Sequence, residues 1–501
     1  MKMKNLSLLL LAVMAPLSSA YAKDLTIGIN SDPDALDPDT SSTMVGREVY
    51  TSLFDKLVDI DQQLNIIPML ATSWGWVDHN KALVMKLRQN VKFQDGTPFN
   101  AEAVKFNIDR SMNLKGSRRK GELSVVKNVE VVDEYTVKIN LKKPFIPLLA
   151  ALADRAGMMV SPTAVKKEGK NFAQHPVGTG PYKFESRVAQ DRIVLDKFDG
   201  YWDASHYHFD KVTFRPLPDS TIRLANLESG QLDIAERIAP TDIAKVKSNS
   251  KLKLVEATSI GYNGIIFNLG YGVNKDKDMA VKNPLVREAF EYAIDRNVIN
   301  QVVFANQYIV DNQWVSTESD YHADGLPVPT RDVAKAKALL KQAGYDKGVS
   351  IELMIANTSE ATQIGQVIQA MAGEAGINVK LKTMEFATSL QVENKGDYEA
   401  YILGWSGRVD PDGNIYSFYG EGAPLNENGF HDKEVQGLLD AARTEQDVEK
   451  RKADYAKAMK RVAELRPWLY LYHPKWQWAV SSDIKHFAPF GDGMPRLRDV
   501  Q

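Results

Sequence analysis

Recognition chemistry is densest in Tyr401-Ile402-Leu403-Gly404-Trp405-Ser406-Gly407-Arg408-Val409-Asp410-Pro411-Asp412-Gly413-Asn414, where an apolar strand runs into a glycine, a tryptophan and a turn. A loop on the edge of a rigid sheet is a good place for residues that read a ligand. The Arg408 guanidinium can fork onto a carboxylate or phosphate through two parallel hydrogen bonds. It can equally be spent on a salt bridge to Asp410 or to a more distant acid. Asp410 and Asp412 can hold an amine, or simply close the turn and cap the helix after it. Trp405 offers an aromatic wall of the kind that lines small-molecule sites, the other reading being a packed core tryptophan.

Catalytic spacings are missing. Gly404-Trp405-Ser406-Gly407 falls one residue short of a G-x-S-x-G nucleophile elbow, and no H-E-x-x-H, P-loop or G-x-G-x-x-G occurs. A hydrolase assembled from scattered Ser, His and Asp residues is the alternative from another functional class. For metals, His206-Tyr207-His208 places two imidazoles on one face of an extended segment, but the segment also reads as a solvent-facing loop after Tyr201-Trp202. With 8 histidines and no cysteine in the chain, no metal site or cofactor is expected. A metal or metal chelate is the runner-up ligand.

The elements that must position these groups are mixed. Three- and four-residue apolar spacing predicts helices over Ala101 to Met112, Asn283 to Ala305, Asp332 to Ala343 and Asp447 to Glu464. Leu25 to Ile29, Val129 to Leu141, Ile193 to Phe198, Val212 to Pro216 and Ile351 to Ile355 read as strands. The fold class is therefore α/β or α+β, and 501 residues exceed what one hydrophobic core supports, so at least two lobes are expected.

Lys2 and Lys4, the apolar run Leu8 to Ala15, and Ala20-Tyr21-Ala22 before Lys23-Asp24 form the three parts of an export signal. Its removal takes the net charge from −2 to −4, because Lys2 and Lys4 are its only charged residues. That near-neutral balance argues against nucleic acid or an anionic membrane as the main partner. No lipid-attachment cysteine follows the signal, so a freely soluble periplasmic product is expected.

Several segments resemble extracellular solute-binding proteins of family 5, the dipeptide, oligopeptide, glutathione, nickel and opine receptors of ABC importers. They are Leu36-Asp37-Pro38, Val49 to Leu57, Val91 to Val104, Pro176 to Tyr182, Asn283 to Ala289 and Ala336 to Tyr345, in the family's order. The resemblance implies an α/β, two-lobe periplasmic binding protein with a ligand cleft between the lobes and an extra subdomain in lobe one. Its boundaries would be a signal peptide at 1–22, lobe one at 23–258 with the subdomain at about 48–175, lobe two at 259–479, and a return to lobe one at 480–501.

By the same resemblance the Gly-Trp segment lines the cleft, and peptide-binding relatives carry an aspartate three residues after the tryptophan. Here that position is Arg408, which points to an anionic group on the ligand. Tyr262, Asn263 and Asn268, at the crossing into lobe two, join Trp405, Arg408 and Asp410 as candidates; Arg47 and Tyr50 do so from lobe one. The expected function is capture of short peptides or peptide-like solutes by lobe closure, with delivery by a monomer to a membrane permease and its ATPase subunits.

Overall fold

The computed structural model describes residues 23–317 and 319–501. The expected export signal lies outside these residues. Among them no helix is long and apolar enough to cross a membrane.

Two large sheets carry the molecule. Lobe one is built on a seven-stranded sheet ordered Leu252–Thr258, Lys475–Ser481, Ile234–Ala235, Asp24–Ile29, Lys211–Pro216, Arg192–Lys197, Tyr182–Val188. Lobe two is built on a six-stranded sheet ordered Ile309–Val310, Trp468–His473, Tyr262–Phe267, Ala400–Trp405, Val349–Ala356, Ile377–Met384. Residues on its central strands alternate between two cores. Ile265, Phe267, Ala400 and Ile402 enter one, while Tyr262, Ile266, Tyr401 and Leu403 enter the other. Strands buried on both faces read as continuous apolar runs, which is why these segments stand out in the sequence.

A third unit, with an antiparallel four-stranded sheet of Ala71–Val77, Ala82–Leu87, Thr136–Leu141 and Val126–Asp133, has its own core between Leu57 and Met159. It is fastened to lobe one where three of the recognisable motifs meet. Gln94 donates through Nε2 to the carbonyls of Leu53, Gly180 and Tyr182, and its Oε1 accepts from Gly178 N–H. A Cβ on Gly178 would lie 2.2 Å from the Leu53 carbonyl oxygen, so only glycine lets the two segments approach this closely.

The chain leaves lobe one after Thr258 and comes back at Lys475, and the two crossings run side by side. Thr258 pairs with Lys475, and Ser259 N–H donates to Pro474 O. The return thus falls at Pro474 and not near Val480. Strand Lys475–Ser481 pairs with Leu252–Thr258 and Ile234–Ala235 of the lobe-one sheet, and its apolar pattern would fit either sheet equally. Its continuation packs Ile484, Phe487, Leu497 and Val500 into the lobe-one core. His473, the last residue before the crossing, faces two oxygens, Gly261 O at Nδ1 (2.7 Å) and Asp311 Oδ2 at Nε2 (3.0 Å).

Local signals fare well with two exceptions, the first being that the strand expected over Val129 to Leu141 is a hairpin of two, Val126–Asp133 and Thr136–Leu141. Asn100 caps helix Ala101–Asn113 and Asp332 caps Val333–Gln342, with Gly344 beyond it at φ +90°. The single helix expected over Asn283 to Ala305 is two, Pro284–Ala293 and Arg296–Phe304, because the Asp295 side chain accepts from Asn297 and Val298 N–H and starts a new helix.

Gln94→Ala should strip donors from three carbonyls and leave Gly178 N–H unpaired. The expected outcome is a loss of about 2 kcal/mol of stability, read as a lowered urea midpoint. An unchanged midpoint would show that the joint carries no strain-bearing role.

Candidate functional site

The two sheets face each other across a cavity of about 220 Å³, walled by both lobes. That exceeds the roughly 150 Å³ that accommodates a benzene-sized ligand. Lobe one contributes the loops around Asn30, Thr43 and Met44, and the segment Arg237–Thr241; lobe two contributes strand Ala400–Trp405, the start of helix Ser359–Glu374, and helix Phe386–Lys395. Phe386, Leu390 and Glu393 are spaced four and three apart, so one face of that last helix turns to the cavity.

Of the sequence candidates, Trp405, Asn263 and Tyr262 line this cavity. Trp405 is held edge-on to Phe418 (4.9 Å between centroids), and its Nε1–H donates to Gly413 O at 3.1 Å. Asn263 has a buried Oδ1 without a protein partner. Tyr262 is mostly core, its hydroxyl donating to Asn414 O and its ring set against Trp468 and Tyr470.

Arg408 and Arg47 converge on one acid that sequence spacing could not supply. Asp154, in the subdomain of lobe one, accepts from Arg47 Nε at 2.9 Å and ion-pairs with Arg408 Nε from lobe two. Arg47 also donates through Nη1 to Ser406 Oγ across the same boundary. Burial draws the Asp154 carboxyl upward, but Arg408, Arg47 and Arg155 outweigh it and hold it far below the usual carboxylate range. Burial lowers Arg408 to about 10, against the pull of Asp154. The Arg408 guanidinium lies 4.1 Å from the Trp405 ring centroid, and neither arginine lines the cavity. The arrangement is a clasp between lobes.

The remaining candidates serve the scaffold. Asp410 is held by both Nη atoms of Arg451 at 2.7 and 2.8 Å. Asp412, raised to about 6 by burial, pairs with Arg443. Asn268 is fully buried: its Nδ2 donates to Gly396 and Tyr398 carbonyls, and its Oδ1 accepts from Gly270 and Tyr271 N–H. Tyr50 is also buried, its hydroxyl donating to Ala35 O. An amide or phenol beside an apolar strand reads alike whether it caps a loop or faces a cleft, hence their inclusion. His206 is bound to Asp499 at 2.6 Å, and among the described residues no group of three His, Asp or Glu side chains could hold a metal ion.

Sequence reasoning missed the charged residues that do line the cavity. Arg118 pairs with Glu427 at 2.8 Å, and Arg223 is bound to the carbonyls of Glu236, Leu217 and Arg237. Arg237, Glu360 and Glu393 complete the set. No local pattern marks them, apart from Glu393 falling in register with Phe386 and Leu390.

Comparison with known proteins fits this architecture. The sequence model of the bacterial extracellular solute-binding proteins, family 5 (middle region), matches residues 65–426. A glutathione-binding protein of Salmonella typhi is 33% identical over 489 residues, covering 95% of this chain and 93% of that one. Among solved structures, a periplasmic binding protein of A. tumefaciens R10 in complex with agropinic acid superposes with a TM-score of 0.86 at 27% identity, over 95% of this chain and 98% of that one. A Helicobacter pylori periplasmic binding protein in complex with the peptide STSA shares the fold, at TM-score 0.89 and 23% identity, over 96% and 98% of the two chains.

The clasp sets an expectation for mutants. Asp154→Asn removes the charge that pairs both arginines, and stranding buried charge costs several kcal/mol. Closure should therefore weaken for every ligand. Affinity should fall at least tenfold, equally for a carboxylate ligand and its amide, with Arg408→Ala behaving the same way. Because the folded-state pKa of Asp154 is depressed, its contribution is present above the ordinary carboxylate range, about pH 4, and is lost only as pH falls well below it. Selective loss of the carboxylate ligand alone in Arg408→Ala would return that residue to ligand reading.

Proposed function

Since the chain belongs to the bacterial extracellular solute-binding proteins of family 5, we propose that it is a periplasmic receptor for short peptides or peptide-like solutes that carry an anionic group. The observation behind this reading is the cavity itself, walled by both lobes and flanked by paired crossings. A solute that touches both walls favours the closed form by its contacts with the second lobe, which is capture by closure. The named glutathione specificity of the relatives and the agropinic acid held by the A. tumefaciens protein both support a small, charged, amide-rich ligand. The receptor acts as a monomer and passes its cargo to a permease driven by separate ATPase subunits.

Glutathione, tri-alanine and nickel-histidine form the first test panel, by thermal melting. Binding to the native state alone adds RT ln(1 + [L]/Kd), about 2.7 kcal/mol at a hundredfold excess over Kd. A peptide ligand should raise the melting temperature, should be recovered intact, and should do so equally after treatment with a chelator. Consumption of the peptide on incubation would favour a hydrolase, and stabilisation by nickel-histidine alone a chelate receptor.

Osmotic shock should release the protein with Lys23 at its N-terminus. Sedimentation with membranes would contradict the periplasmic assignment.

A further inference from the structure

The charges on the cavity wall are six, three of each sign, and four are already spoken for. Arg118 and Glu427 hold each other; Arg223 is fixed on three backbone carbonyls; and Glu360 accepts from the Tyr472 hydroxyl at 3.0 Å. Among the described residues Glu393 of lobe two has no ion-pair partner, and Arg237 of lobe one has only a long one, Glu236 Oε2 at 3.7 Å.

Glu393 of lobe two is 5% exposed, lines the cavity, and accepts no side-chain hydrogen bond among the described residues. Its charged neighbours are Glu427, which repels it, and Arg118, which Glu427 already occupies. A buried carboxyl in that position lacks a cation. Across the cavity Arg237 of lobe one sits at φ +47°, a region that non-glycine residues seldom enter. Its Nε has no hydrogen-bond partner, its nearest carboxylate oxygen is Glu236 Oε2 at 3.7 Å, and its Nη2 faces only the Met44 sulfur at 3.2 Å. The guanidinium lies 5.2 Å from the Trp476 ring centroid, and both residues line the cavity.

We propose that Glu393 and Arg237 are the specificity-determining poles of the cavity, Glu393 taking the ammonium and Arg237 the carboxylate of one zwitterionic solute that spans both lobes. This rests on the receptor reading above. The two poles have different charged neighbours: Glu393 groups with Arg118 and Glu427, whereas Arg237 groups with Glu236, Glu360 and Glu48. A ligand with only one charge would meet one pole and leave the other without a direct partner, so the closed form would hold it less tightly. This is discrimination through the unmet partner.

The test crosses protein charge with ligand charge by calorimetry. Glutathione and tri-alanine are compared with their N-acetyl and C-terminal amide forms, on wild type, Glu393→Gln and Arg237→Gln. Acetylation should weaken wild-type binding about thirtyfold or more, as loss of one partner of a buried charge pair does, and should change Glu393→Gln less than threefold. Amidation should show the same contrast for Arg237→Gln. Glu393→Asp, which keeps the charge, should still prefer the free amine, and it stands in if Glu393→Gln fails to fold. Equal sensitivity to acetylation in wild type and Glu393→Gln overturns the assignment while leaving the receptor reading intact. No binding of any of these compounds to wild type overturns both.

Discussion

One carboxylate buried between two guanidiniums governs how the lobes meet. Asp154 has Arg47 on its own side and Arg408 on the other, and all three are almost wholly excluded from water. Such a group is expensive to assemble and gives little net stability over an apolar contact, yet it is strongly destabilised when a single member is lost. Its value is registry. Carboxylate and guanidinium geometry admits few relative placements of the lobes, and apolar surfaces alone would admit many. The subdomain reinforces that registry by reaching lobe two at separate points, through Arg118 to Glu427 and through Ile146 N–H to Arg443 O.

The ligand-side loop is tied to the same register. Gly407 has φ +81°, and a Cβ there would fall 2.4 Å from the Ile260 carbonyl; a Cβ on Gly261 would fall 2.1 Å from Trp405 O. The first crossing between lobes and the loop bearing Trp405 and Arg408 are therefore packed backbone against backbone. Any rotation that opened the cavity would part Arg408 from Asp154, because Arg408 shares a loop with the cavity-lining Trp405. Closure, clasp and aromatic wall are thus coupled by backbone contact, with no separate signal needed between them.

Much of this was readable before any coordinates. The strand into Gly404-Trp405, the turn at Asp410 to Gly413 and the helices Ala101–Asn113 and Val333–Gln342 depend on local chemistry, and local chemistry is written in sequence. What escaped depends on partners far along the chain. Arg408 finds Asp154, Asp410 finds Arg451 and Arg118 finds Glu427, and no spacing rule encodes any of these. The misplaced return crossing has a similar origin, since Trp476 to Val480 is an apolar strand in whichever sheet accepts it.

The arginine at position 408 now has a physical consequence for the whole cavity. The family resemblance leads to the expectation of an acid there, and with it a counter-charge for an amine beside the tryptophan. Here the position carries the opposite sign, and that charge is consumed by Asp154 before it can reach a ligand. An amine entering the cavity must therefore be met from another element. Helix Phe386–Lys395 presents a carboxylate there, at the end of an apolar face formed by Phe386 and Leu390. Burial and the neighbouring Glu427 push the Glu393 carboxyl well above its ordinary range, the mark of a carboxyl short of a counter-charge. A cation beside it reverses the balance, because opposite charge at close range lowers a carboxyl's pKa. The carboxyl placed to meet an ammonium is thus on this helix and not on the loop after the tryptophan.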